Sequence, residues 1–202
     1  MKRREFLGKS SLLMLVPSFN NCLKFDEGQP VQKFVSLDIG YINFQDKLLG
    51  EVFKISVAKF EGGNIVDTYS TIVQPKNNIQ DATGLVTRIQ EYQIRGTPNI
   101  EQVIEELEPI LRGQKLVIRE KEENFELFLS AFKNSGYYLR EQDIVDLFEL
   151  TKNRLGPIKR LSKLAELLRI RNSREKHGLG GAIFIGRIYL ELIKLPKKLD
   201  LS

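Results

Sequence analysis

The sequence predicts an α/β protein: three leading antiparallel strands, then parallel strands, in one mixed sheet flanked by helices. Three observations carry this. Between Phe34 and Pro75 the apolar residues follow strand patterning broken by turn residues. From Thr97 onward their spacing becomes helical. A short apolar run, "KLVIRE", then stands between two helical segments. A block of strands followed by alternating helix and strand builds a sheet with helices packed on it. The 202 residues are enough for one domain with a sizeable core and a tail.

The first 32 residues are set apart. "MKRREFLGKSSLLMLVPSFNNC" has a basic start, a short apolar stretch from Leu12 to Val16, and Pro17. That order of regions reads as an export signal. Arg3 and Arg4, followed by Phe6-Leu7 and Lys9, resemble a twin-arginine signal, which is an address and not an anchor. No A-x-A site follows. Cys22 is a candidate for lipid attachment, although "SFNNC" matches a lipobox poorly. Two readings stand: export to the periplasm or envelope, and a basic arm on a cytoplasmic protein. The polar "KFDEGQPVQ" leads into the domain, expected over 33–196, with 197–202 as a tail.

Within the domain, "FVSLDIG" is the first strand. "EVFKISVAKFEGGNIVDTYSTIVQP" alternates on both sides of Gly62-Gly63, which predicts a β-hairpin. "TPNIEQVIEELEPILRG" spaces Ile100, Val103, Ile104, Leu107 and Ile110 as a helix, with Thr97 as the expected N-cap and Gly113 past its end. "ENFELFLSAFKNSG" is a helix with Phe125, Phe128 and Phe132 on one face, read as core. "DIVDLFELTKNRLG" is a strand or turn entering a helix. "IKRLSKLAELLRI" is an amphipathic helix with Leu161, Leu164, Leu167 and Leu168. "GGAIFIGRIYLELIKL" is a last apolar helix.

Composition narrows the chemistry. One cysteine excludes a disulfide framework and a cysteine-rich zinc site, and one histidine excludes chemistry needing two imidazoles. No apolar run reaches the roughly 18 residues of a membrane-spanning helix. The net charge of +5 falls to +2 without the first 21 residues, so any electrostatic argument must be local. Locally, the segment from Lys152 to Lys176 carries nine basic residues against Glu166 and Glu175. Such a cluster can pair with a phosphate backbone, or can simply be a solvated helix face.

From about Phe34 to Leu195 the order of pieces resembles the proofreading 3′–5′ exonucleases. This is the DEDDh-type family with a ribonuclease H-like fold that includes the epsilon subunit of bacterial DNA polymerase III. "KISVAKFEGGNIVDTYSTIVQP" is similar to the family's second and third strands. "DIVDLFELTKNRLGPIKRLSKLAELLRI" is similar to its Leu-Asp-Thr helix and the leucine-rich helix after it. "HGLGGAIFIGRIYLELI" has the position and length of its final helix.

The resemblance implies two metal ions held by four carboxylates, with a histidine as general base. Two divalent cations about 3.5–4 Å apart clamp the attacking and leaving oxygens of a phosphodiester, and magnesium or manganese requires hard oxygen ligands. Carried over residue by residue, Asp38 fits the first aspartate and His177 the histidine. The other three carboxylate positions read Gly40, Asn124 and Ala182. A register two residues further on would put Glu126 in place of Asn124. Asp38 is therefore either a remaining metal ligand or a strand-end aspartate capping backbone donors, and Asp146 is expected to be structural.

The expectation is an exonuclease-like domain without two-metal catalysis, and with no cofactor, that binds nucleic acid or a protein. Arg169, Arg171, Arg174 and Lys176 are the nucleic-acid contacts in that reading. The alternatives are an active Mg2+- or Mn2+-dependent exonuclease with unusual ligands, and an exported scaffold with no nucleotide role.

Overall fold

The computed structural model describes residues 32–44, 50–77, 82–83, 91–121, 123–171 and 178–196, without the side chains at 43–44, 82–83, 91–92 and 123–124. The predicted export segment with Arg3, Arg4 and Cys22, the tail at 197–202, and Arg174, Lys176 and His177 lie outside the described residues.

Three strands open the domain: β1 (Lys33–Phe44), β2 (Glu51–Glu61) and β3 (Asn64–Ile72). They pair antiparallel in sequence order. The β2–β3 connection is the Gly62-Gly63 pair, both at positive φ (57° and 83°), a conformation that glycine adopts without a steric penalty. A two-residue strand, β4 (Ala82–Thr83), pairs with the end of β1. After a short helix α1 (Glu91–Ile94) come α2 (Ile100–Leu111), β5 (Lys115–Ile118), α3 (Glu123–Asn134), β6 (Ile144–Asp146), α4 (Leu147–Lys152), α5 (Leu161–Leu167) and α6 (Leu179–Lys194). β5 pairs parallel with β1, and β6 parallel with β5, giving the order β3-β2-β1-β5-β6. The mixed sheet is the expected one.

The period of two along β1 decides which helices cover which face. Val35 and Leu37 join Ile55, Val57, Leu116 and Ile118 in one core with α2 and α3, where Phe125, Phe128 and Phe132 are buried as predicted. Phe34 joins Ala58, Phe60 and Val117 in a second core with α4, α5 and α6. Ser36, Asp38 and Gly40 stand on this second face. Phe34 and Phe60 stack there at 4.8 Å, and Tyr189 meets Phe34 edge-on.

Two expectations are corrected. The N-cap of α2 is Asn99, not Thr97. Asn99 Oδ1 accepts from the Gln102 amide at 2.8 Å, and the Gln102 side chain accepts from the Asn99 amide at 3.0 Å. This reciprocal capping box satisfies two helix-end donors. Thr97, ahead of Pro98, instead bonds back to the Ile94 carbonyl through its hydroxyl. In α5, Leu164 and Ala165 are buried, but Leu167 is 53% exposed. Leu161, Leu164, Ala165 and Leu168 follow the i, i+3, i+4, i+7 stripe, and Leu167 falls off it.

Candidate functional site

The site is built where α6 crosses the second face of β1 and β2. In the antiparallel register Asp38 pairs with Ser56 and Gly40 with Lys54, so these four positions share a face. Helix α6 lies close against it because its glycines permit close approach. A Cβ on Gly186 would overlap Phe60 Cε2 and stand 2.5 Å from its Cζ. One turn nearer the helix start, the Ser36 hydroxyl donates to the Ala182 carbonyl at 2.7 Å, and Ala182 is fully buried.

At the start of α6, the Gly178 amide donates to Asp38 Oδ2 at 2.7 Å. Gly178 is the N-cap, with φ 64° and ψ −136°, and its own carbonyl accepts the first helical bond from the Ala182 amide at 2.9 Å. A glycine N-cap has no side chain to satisfy an orphan donor. Here Asp38 supplies the carboxylate from a strand 140 residues away. A negative charge at this end also complements the helix dipole. Asp38→Ala is expected to destabilise the protein by about 1 kcal/mol, as loss of an N-capping carboxylate does. Urea denaturation measures it, and the change should be much smaller in Asp38→Asn.

A residue that the sequence reading did not single out completes the site. Lys54 rises from β2 opposite Gly40. Its Cβ lies 3.3 Å from where a Gly40 Cβ would be, and its Nζ and Cε lie 2.6 and 2.7 Å from where a Gly178 Cβ would be. The lysine side chain therefore bridges from the strand position that lacks a side chain to the helix start that lacks one. The signal for Lys54 is its register with Gly40, which only the β1–β2 pairing supplies.

The structure thus brings Asp38, Gly40 and Ala182 together. Asn124 falls in the first turn of α3, after β5, and Glu126 is exposed on the same helix. Asp146 is structural as expected: Oδ1 accepts from the Phe148 and Glu149 amides and Oδ2 from the Lys121 amide, capping α4 and fastening the chain after β5. Among the described residues, no three His, Cys, Asp or Glu side chains group to hold a metal. Among the described residues, the donor set on this face is one carboxylate already accepting a backbone N–H, two engaged serine hydroxyls and an ammonium, with a glycine and a buried alanine beside them. That set does not fit two magnesium or manganese ions.

On the surface, Arg169 and Arg171 are exposed. Arg169 adopts a left-handed conformation, φ 54°, that ends the turn after α5. Nearby cations divide into paired and unpaired. Lys163 meets Glu166 at 3.4 Å and Lys159 meets Glu120 at 3.9 Å. Arg160, Arg169 and Arg171 form no ion pair among the described residues. Arg154 is used internally: its guanidinium donates to the Leu195 carbonyl at the end of α6. Cations favour that end of a helix.

The fold is that of the ribonuclease H-like 3′-exonucleases. In sequence, the chain is 25% identical over 175 residues to a PolC-type DNA polymerase III of Caldanaerobacter subterraneus, covering 84% of this chain and 12% of that protein. It is 22% identical over 170 residues to the 3′-5′ exonuclease DinG of Bacillus subtilis, covering 83% of this chain and 18% of DinG. The chain therefore spans a small part of the length of the curated relatives it matches. In structure it is similar to the nuclease domain of 3′hExo, a DEDDh family member bound to rAMP, with a TM-score of 0.62 at 16% identity, over 84% of this chain and 98% of that one. It is also similar to Pop2p of S. pombe in its Mg2+- and Mn2+-bound form, with a TM-score of 0.61 at 15% identity, over 79% and 82% of the two chains. No family model matches the chain. In sequence it is similar to a part of PolC-type polymerase III and of DinG, and it has the fold of the DEDDh 3′-exonucleases.

Proposed function

We propose that this chain is an exonuclease-like domain that binds nucleic acid without hydrolysing it. The observation that carries the reading is the exchange of charge on the α6 face: Lys54 lies across Gly40, and Asp38 accepts the Gly178 amide. In the DEDDh resemblance Asp38, Gly40 and Ala182 hold carboxylate positions. One carboxylate cannot clamp two divalent ions, and an ammonium beside it repels them. Arg160, Arg169 and Arg171, exposed and without an ion pair among the described residues, support binding of a phosphate backbone.

The test is fluorescence anisotropy with a short single-stranded oligonucleotide, followed by incubation with millimolar manganese. The expected result is salt-sensitive binding that weakens in Arg171→Ala, with the oligonucleotide recovered at full length. Shortening from the 3′ end that disappears in Asp38→Asn would overturn the reading and favour an active enzyme with unusual ligands.

A further inference from the structure

The relation between Lys54 and the two glycines goes further than loss of a metal site. Gly40 presents no side chain on the face of β1 beside Asp38, and the lysine opposite it in the register extends from there to Gly178. Its ammonium reaches the start of α6, next to buried Ser56, whose hydroxyl is occupied by Ser70 Oγ at 2.7 Å. The Gly178 amide is already used by Asp38. Lys54 is half-buried, and its ammonium forms no hydrogen bond and no ion pair among the described residues. Its three donors thus have no acceptor among the described residues.

We propose that Lys54 is a tethered cation that replaces the metal ions of this fold, and that it receives a phosphate of a nucleic-acid strand without any divalent ion. The inference rests on the nucleic-acid reading above and names the group that would act at its centre. Lysine suits the task as a compact point charge that contacts one phosphate oxygen at a time. Gly178 is part of the device. Its φ of 64° disfavours any other residue, and a side chain there would push the flexible end of Lys54 aside.

The experiment measures anisotropy of a short single-stranded oligonucleotide in EDTA, over a range of salt, with wild type, Lys54→Met, Lys54→Arg and Arg171→Ala. Wild-type binding should persist in EDTA. Lys54→Met should weaken it about five- to tenfold and reduce the slope of log K against log salt by about 0.7, one phosphate contact on a single strand. Lys54→Arg should retain most of the affinity, and it serves as the folded control for the methionine variant. If Lys54→Met binds with wild-type affinity and slope while Arg171→Ala weakens, the strand lies on the basic surface only. The Lys54 inference then fails and the nucleic-acid reading stands. Binding abolished by EDTA would overturn the inference by placing a divalent ion at the site. No wild-type binding under any condition would overturn both.

Discussion

Ala182→Asp is expected to cost about 3–5 kcal/mol, because it places a carboxylate in an apolar core closed to water. Ala182 is fully buried in the core formed by Phe34, Ala58, Phe60 and Val117, and its carbonyl is already engaged by Ser36. Burial would raise the pKa of such a carboxyl above its unfolded value. A raised carboxyl penalises the folded state only where the unfolded chain is ionised. The loss should therefore be small below about pH 4 and grow as pH rises. Urea denaturation of wild type and variant at acidic and neutral pH measures both the size and the slope. Full stability at neutral pH, or its recovery on adding manganese, would mean that position 182 still opens on a metal site.

The second large effect is expected at the contact that holds α6 down. Phe60 is 1% exposed and stacks on Phe34. Phe60→Ala should cost about 3–5 kcal/mol, through lost burial and the cavity left behind. Gly186→Val should cost about 3 kcal/mol for the opposite reason, since its side chain must displace that same buried ring. The two sites are coupled. Gly186→Ala made in a Phe60→Leu background should be less damaging than in wild type, with an interaction of about 0.5–3 kcal/mol in a double-mutant cycle. Additive effects would show that α6 packs on something other than Phe60. Any shift of α6 moves Gly178 away from Asp38, so Gly186→Val should also weaken oligonucleotide binding.

The sequence is most readable where one physical signal dominates. The β2–β3 hairpin is legible because alternation on both sides of Gly62-Gly63 leaves one register, and positive φ at both glycines is what that turn needs. Helices α2 and α3 are legible because their apolar stripes match one buried face. The start of α2 was misjudged because two capping residues lie within three positions, and the reciprocal bonds of Asn99 with Gln102 prevail over the single hydroxyl of Thr97. Leucine identity alone groups Leu167 with the other leucines of this amphipathic helix, but its phase leaves it exposed. The helix presents only the Leu161–Leu164–Leu168 stripe inward, and seven residues give it little reach.

At the site, the resemblance located Asp38, Gly40 and Ala182, and the structure brings all three onto the α6 face. What Asp38 does there was open between metal ligand and cap. Its bond from the Gly178 amide is a capping contact, and a manganese titration tests whether the same carboxylate also holds a metal. Lys54 was illegible for a topological reason. It meets Gly40 only through strand pairing, and nothing in the spacing of 14 positions between them states that register. Arg174, Lys176 and His177 lie outside the described residues; the two cations belong to the basic run, and His177 is matched through the resemblance.

The central claim is that the carboxylate at Asp38 serves the fold and no longer a metal. Calorimetric titration of manganese into wild type and Asp38→Asn tests it most directly. The account predicts indistinguishable titrations, with no binding at millimolar manganese that depends on Asp38. Binding in wild type that is lost in Asp38→Asn would contradict it and restore a metal-dependent activity to this site.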